Sequence, residues 1–309
     1  MAYDVIIIGG GPAGLSAAIY TARARLKTLI IEKAGCGGQM AITDMLENYP
    51  GFNGGINGFE LAVKLEEQVR DFGAEIIYDE VLNIADSASM KTVVTPNAVY
   101  EAKTVIIAAG TKVKEMQIEG ESQFIGRGVS FCAVCDAPFY REKDVAVVGG
   151  GDSAVQEAIY LAKFAKNVTV IHRRNELRAA KILQEKMLSY KNISVMYDTV
   201  PERIEGTDKI EKFIVSNVKT KEISELKVDG VFVFIGLMPN TAFLSKEADN
   251  IGLDEFGYII TDENMKTTLP GIFACGDIRK KQLRQVVTAA SDGAQAAISA
   301  QNYIEHQEK

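Results

Sequence analysis

The sequence predicts an α/β protein made of two parallel-sheet units, the second inserted into the first. Three observations lead to this expectation. An apolar run, Val5–Ile8, leads into a glycine turn, a helical stretch and a second apolar run that ends at Glu32. The same series of parts returns from Val145, through Gly149–Gly151, to His172. The tail beyond Gly257 resembles neither opening, so it is assigned back to the first unit.

The two openings align without a gap at a constant offset of 140 residues, pairing Gly9 with Gly149, Gly11 with Gly151 and Tyr20 with Tyr160. Each reads as buried strand, glycine turn, helix and buried strand, the βαβ start of a Rossmann-like dinucleotide-binding domain. A spacing this long indicates two domains rather than a short solenoid repeat. Between them, Phe59–Phe72 predicts an amphipathic helix, and the segments at Glu75–Tyr78, Lys91–Thr95 and Ala98–Tyr100 predict a small β-meander. Val105–Ala109 reads as another buried strand ending in glycine, followed by a polar connector at Lys112–Met116. Strands are expected at Ser194–Tyr197, Lys212–Val218 and Val231–Ile235, and an alanine-rich helix from about Gln285. The expected domains are 1–114 with 244–309, and 115–243.

Composition is that of an ordinary folded protein. The 309 residues are 47% hydrophobic and 24% charged, with a net charge of −7. A mildly acidic chain argues against nucleic-acid binding, which favours a basic face. The N-terminal apolar run follows Asp4 and is cut off by glycines, unlike a signal peptide, and Val231–Met238 is far short of a membrane span. A cytoplasmic protein with no membrane and no metal partner is expected. In a reducing compartment, a close cysteine pair suggests catalysis or metal rather than a structural staple.

The first glycine turn, Gly9, Gly11, Pro12, Ala13 and Gly14, has the spacing in which successive glycines permit the turn, admit a pyrophosphate and let helix and strand pack. Glu32, with Lys33 beside it, stands where a carboxylate accepts from an adenosine ribose. The second turn, Gly149, Gly151, Asp152, Ser153 and Ala154, leads instead to His172, Arg173 and Arg174, with Arg178 four residues beyond. A carboxylate there would repel a 2′-phosphate and guanidinium groups would bind it, so this site should prefer NADPH to NADH. A solvated basic face is the alternative.

Cys132 and Cys135 can close a small disulfide suited to thiol exchange. A zinc site would need ligands drawn from Cys36, Cys275, His172 and His306, which sit in other contexts. Two inert thiols are the other alternative. Asp136 directly follows and could protonate a leaving sulfur if burial raises its pKa; a turn-forming role fits it equally. Cys36 and Cys275 are read as core thiols.

With these motifs in view, the chain resembles the low-molecular-weight thioredoxin reductases over essentially its whole length. The landmarks are the first glycine turn, Gly37–Gln39, Glu47–Gly51, Ala108–Thr111, Cys132–Asp136, Gly149–Ala154, His172–Arg174, Gly276–Asp277 and Arg284–Gln285. The resemblance implies FAD in the discontinuous domain, with Gly38, Gln39, Asn48 and the Gln285–Val286 backbone near the ring system. It puts Asp277 on the ribityl chain, and Gly110, Thr111, Gly276 and Arg284 in the same site. It implies NADPH in the inserted domain, Cys135 as the flavin-proximal thiol, and Cys132 as the thiol that attacks thioredoxin. Arg127 and Phe139 fall at partner-contacting positions. Pro138 departs from the aromatic residue common in that family, which bears on partner recognition. A homodimer is also implied, as is rotation of one domain against the other, with hinges near Lys112–Met116 and Pro239–Phe243. Three rival readings remain at this point. They are a flavoprotein fed by another electron donor, a reductase of a different disulfide partner, and a nucleotide-sensing regulator without catalysis.

Overall fold

The structure, a computed structural model, describes residues 2–43, 45–86, 90–244 and 250–307. It divides into two compact units, 1–112 with 238–309, and 113–237. Both boundaries come earlier than the expected 114/115 and 243/244. The reason for the second is local: Asn240 donates from its backbone to Gly110 O at 3.0 Å and from Nδ2 to Ala109 O at 2.8 Å, which fastens this segment to the first unit.

In chain order, the first unit runs β1 (Ala2–Ile8), α1 (Pro12–Arg23), β2 (Thr28–Glu32), α2 (Gly58–Asp71), β3 (Glu75–Tyr78), β4 (Asn83–Asp86), β5 (Lys91–Val94), β6 (Val99–Ile107) and β7 (Thr111–Val113). The second runs α3 (Glu121–Phe124), β8 (Val129–Ser130), α4 (Ala133–Asp136), β9 (Asp144–Gly149), α5 (Asp152–Leu161), β10 (Asn167–Ile171), α6 (Lys181–Leu188), β11 (Ile193–Met196), β12 (Thr199–Gly206), β13 (Ile210–Asn217), β14 (Ile223–Lys227) and β15 (Gly230–Phe234), and β16 (Leu237–Pro239) straddles its end. The chain then returns to the first unit with β17 (Ile272–Ala274) and α7 (Val286–Gln307).

The sheet of the first unit has the order β3-β2-β1-β6-β5-β4, with β17 also on β6. β1 pairs parallel with both β2 and β6, so the strand order reverses there and its C-terminal end opens on a crevice. Val5, Ile6 and Ile7 are fully buried, as expected of a parallel strand covered on both faces. One face carries Val5, Ile7 and Ile106 against α1 and α7, and the other carries Ile6, Val105 and Ile107 against Ile259 and Ile272. The expected meander is only partly present. Glu75–Tyr78 joins β2 in parallel, while β4, β5 and β6 form the antiparallel part. The segments expected at Ala98–Tyr100 and Val105–Ala109 are one strand, β6, whose first half pairs with β5 and whose last residues pair with β17.

The second unit repeats the plan in a parallel sheet ordered β11-β10-β9-β15-β8, joined by an antiparallel sheet of β12, β13 and β14. β9 lies between β10 and β15, so its glycine turn also stands at the reversal point. Two helical strings, Ala133–Ala137 and Ala154–Ala158, pack on one core with Val145, Val147 and Phe232. The chain is thus an α/β protein of two Rossmann-like dinucleotide-binding domains, the second inserted into the first.

Candidate functional site

The first glycine turn is built as its sequence requires. Gly9 has φ +104°, where an L side chain is strained, and a Cβ there would lie 2.5 Å from Ala108 O. A Cβ on Gly14 would lie 1.9 Å from Gly9 O, so helix and turn close only around glycine. Gly11 is different: a Cβ there would meet nothing within 4 Å. No side chain caps α1 beyond it, and Pro12 takes the first helical position, where no N–H is needed. This leaves an open cradle at a helix N-terminus, which suits an anionic pyrophosphate.

Other expected residues converge on the same turn. The Cβ position of Gly38 is 3.5 Å from Gly11 Cα, and that of Gly276 is 2.8 Å from Ala13 Cβ. Gln39 Nε2 donates to Thr111 O at 2.6 Å and to Thr111 Oγ1 at 2.9 Å, drawing the 38–40 turn to the end of the Gly110 segment. Asn48 Nδ2 donates to Gln285 Oε1 at 3.0 Å, beside Val286 at the start of α7. Glu32 accepts from Gly10 N at 2.6 Å and from Ala34 N at 3.0 Å, so its carboxylate also braces the turn. Lys33 points elsewhere, to an exposed ion pair with Glu80 at 2.6 Å.

Asp277 fits a bound cofactor most directly. Its Oδ1 is buried without a hydrogen-bond partner. Burial raises its pKa, against the lowering effect of Lys281 and Arg284. An unpartnered buried acceptor requires an explanation, and ligand hydroxyls would supply one. Arg284 stacks over Tyr258, 4.1 Å from the ring centroid, and its Nε is likewise buried and unpartnered.

In the second unit, Gly151 is again an open cradle, with nothing within 4 Å of its Cβ position, and no side chain caps α5. The basic segment is stapled to this turn. Gly150 O accepts from Arg178 N at 2.7 Å and Ala179 N at 3.1 Å, and Asp152 Oδ1 accepts from Ala180 N at 2.8 Å. Asp152 therefore turns its charge toward that segment. Arg173, Arg174, Arg178 and Ser153 are exposed, and none of the three arginines forms an ion pair with a described residue.

His172 differs from its three arginine neighbours. It is 5% exposed, and a Cβ on Gly150 would lie 2.2 Å from its Nδ1. Burial lowers its pKa, with Arg178 and Arg174 adding to the shift. A neutral imidazole packed against the glycine turn supports that turn and offers no charge to a phosphate.

Cys132 and Cys135 are joined in a disulfide, with Cα atoms 5.4 Å apart. Cys132 caps α4, its Sγ accepting from Cys135 N at 3.1 Å, while its own N–H donates to Ser130 Oγ at 3.1 Å. Ala133 and Ala137 are fully buried against α5, so the redox turn and the second glycine turn share one scaffold. Cys135 is exposed and Cys132 half-buried. Asp136 is half-buried rather than enclosed, and its charge helps raise the pKa of Tyr140 after burial of that ring. Phe139 is 73% exposed, and Arg127 is exposed too. Among the described residues, no group of three or more side chains could hold a metal ion, and no helix is long and apolar enough to cross a membrane.

The other two cysteines are buried or hindered. Burial, with Glu66 and Glu32 nearby, pushes the Cys36 thiol up to about 12, and complete burial raises Cys275 as well.

A sequence profile of the pyridine nucleotide-disulphide oxidoreductases matches residues 3–293. The chain belongs to that family. Within it, the chain is 48% identical to the thioredoxin reductase of Treponema pallidum (strain Nichols), over 98% of this chain and 97% of that one. It is also 48% identical to the thioredoxin reductase of Bacillus subtilis (strain 168), over 98% and 95%. The crystal structure of Lactococcus lactis thioredoxin reductase superposes with a TM-score of 0.95 at 45% identity, covering 98% of this chain and 99% of that one. Pyridine nucleotide-disulphide oxidoreductases use a flavin and a nicotinamide nucleotide.

Sequence reasoning missed Asp292, Arg279 and Lys281, which surround Gly276. A signal was available. Ala289, Asp292, Gly293, Ala296, Ala297, Ser299, Ala300 and Ile304 make up the buried stripe of α7, and one member of that stripe is charged.

Proposed function

We propose that this chain is a thioredoxin-disulfide reductase, passing electrons from NADPH through FAD and the Cys132–Cys135 disulfide to oxidised thioredoxin. The observation that carries the reading is a redox disulfide packed on the same helix whose N-terminus forms the second open cradle. FAD is assigned to the first unit and NADPH to the second. Asp277 Oδ1 and the open face of Gly11 support the former, and the exposed side chains of Arg173, Arg174 and Arg178, the last bonded to the Gly150 turn through its backbone, support the latter. The relatives that bear the name thioredoxin reductase support the choice of partner.

A flavin held at the Gly11 turn and Asp277 would supply hydride acceptance from a reduced nicotinamide and two-electron delivery to a disulfide. The protein holds the two nucleotides and presents the sulfurs. Once reduced, Cys132 has the better placed thiolate, because the Cys135 N–H at 3.1 Å stabilises negative charge on its sulfur. Cys132 attacks one sulfur of the partner disulfide, and the other partner sulfur leaves and takes a proton from water. Cys135 then attacks the Cys132 sulfur, closing the resident disulfide and releasing the second partner thiol. One disulfide is opened and one re-formed, with two electrons and two protons ending on the partner. Exposed Phe139 and Arg127 are assigned to partner docking.

Single serine variants test the sulfur roles. With oxidised thioredoxin as substrate, both lose turnover. Reduced Cys132→Ser keeps a long-wavelength absorbance band from a thiolate beside the flavin, and Cys135→Ser lacks it. The opposite spectral pattern inverts the assignment, and full turnover in either variant overturns the proposal.

A further inference from the structure

Asp292 lies on α7 at 8% exposure, in a buried stripe otherwise made of alanine, glycine, serine and Ile304. A carboxylate at that depth is costly unless it is fully engaged. One oxygen, Oδ2, accepts from Gly276 N at 3.1 Å, Arg279 Nε at 3.0 Å and Lys281 Nζ at 2.8 Å. The Lys281 side chain is itself only 8% exposed. The residue after Gly276 is Asp277, whose Oδ1 is buried without a partner although Lys281 is near enough to lower its pKa. The buried ammonium sits on Asp292, and Asp277 Oδ1 is left without a partner.

We propose that Asp292 is a positioning residue for the flavin site, holding Lys281 and Arg279 so that the Asp277 carboxylate stays free to accept from ligand hydroxyls. The inference rests on FAD occupying the first unit. The bond to the Gly276 N–H fixes the turn from the same oxygen, so one side chain sets both the backbone and the cations around Asp277. With the Asp292 charge removed, Lys281 is left buried beside a single carboxylate. It turns to Asp277, and that acceptor is taken before the cofactor arrives.

The test is FAD titration of apoprotein, followed by flavin fluorescence, with the apoprotein thermal midpoint measured alongside. Asp292→Asn weakens FAD binding by about tenfold or more, the loss of one charge-assisted contact. Asp292→Asn combined with Lys281→Met, which removes the competing cation, recovers most of that loss. A purely structural role predicts no recovery in the double variant. Unchanged FAD affinity in Asp292→Asn, or a double variant as weak as the single, overturns the inference. Should Asp292→Asn yield no folded apoprotein, Asp292→Glu, which keeps a carboxylate for both cations, takes its place. Binding within about threefold of wild type then supports the proposal, and loss of a full contact's worth contradicts it. Wild-type apoprotein that takes up no FAD refutes the flavin assignment itself, a failure visible without any variant.

Discussion

Gly11 and Gly151 occupy equivalent places in the two βαβ turns, with φ −74° and −91°, backbone angles that alanine adopts freely. A methyl at either position meets no protein atom within 4 Å, so Gly11→Ala and Gly151→Ala cost the fold little. Alanine is a poorer helix cap than glycine, but it restricts the unfolded chain. The two effects offset each other to within about 1 kcal/mol. The methyl does project into the open cradle where phosphate oxygens would approach the backbone N–H groups. Losing one charge-assisted hydrogen bond costs about 1.5–3 kcal/mol, or about 10- to 150-fold in Kd. Gly150→Ala is the contrasting substitution. Its methyl would lie 2.2 Å from His172 Nδ1, and ring and turn must separate toward an ordinary contact of roughly 3.5 Å. Overpacking of this kind costs about 1–3 kcal/mol of stability. The assays are calorimetric thermal midpoints of the apoproteins, FAD content after reconstitution, and NADPH affinity by titration calorimetry. Gly151→Ala should weaken NADPH and spare FAD, Gly11→Ala should do the reverse, and Gly150→Ala should lower the thermal midpoint. If Gly151→Ala binds NADPH normally, or destabilises the protein as much as Gly150→Ala, the cradle argument is refuted.

Removing charge from Arg173, Arg174 and Arg178 together should raise KM for NADPH by about tenfold or more, the scale of lost charge-assisted contacts, with KM for NADH little changed. An equal effect on both nucleotides would mean that the cluster only supports the fold. Asp277→Asn should raise the thermal midpoint of the apoprotein while weakening FAD. Its folded pKa lies above the unfolded value, so the ionised carboxylate opposes folding at neutral pH, and removing that charge relieves the penalty. A lower apoprotein midpoint at pH 7 contradicts this. Cys36, raised to about 12, contributes stability that is intact below the unfolded thiol pKa near 9 and lost as pH climbs toward 12. Cys36→Ser should therefore flatten the alkaline fall in thermal midpoint, and native Cys36 should resist iodoacetamide at pH 8. Rapid alkylation of Cys36 at that pH would show the thiol to be more accessible than its surroundings imply.

Much of this architecture is legible in the sequence because buried parallel strands are written as plain apolar runs. Val5–Ile8 and Val145–Val148 are covered on both faces, so nothing interrupts them, and the glycines that follow mark where backbone meets backbone. β12 and β14 escaped notice for the opposite reason. They lie in a small antiparallel sheet where β14 alternates exposed and half-buried residues, and β12 carries Pro201 beside a register shift. The position of Glu75–Tyr78 in the main sheet depends on pairing with β2, a contact across the intervening α2 that periodicity does not encode.

The site was legible to the extent that its residues act through backbone or charge pattern. The glycines, the cysteine pair and the arginines announce themselves by spacing. His172 looks basic beside Arg173, yet the space above Gly150 makes it a buried neutral ring. Asp292 acts through Gly276 and Lys281, partners 16 and 11 residues away, and only the packing of α7 brings them together. Near the first crossing Glu121 accepts from Met116 N at 2.8 Å and Gln117 N at 2.6 Å, and beyond the second Asn240 is fastened to Gly110, contacts that no spacing in the sequence announces.

The most direct test of electron flow is an anaerobic titration of the flavin-loaded protein with NADPH, followed by alkylation and mass mapping of the cysteines. Reduction should expose new thiols at Cys132 and Cys135 together, with Cys36 and Cys275 unlabelled until the protein is denatured. Flavin that bleaches while the Cys132–Cys135 disulfide stays closed at excess NADPH would contradict the account.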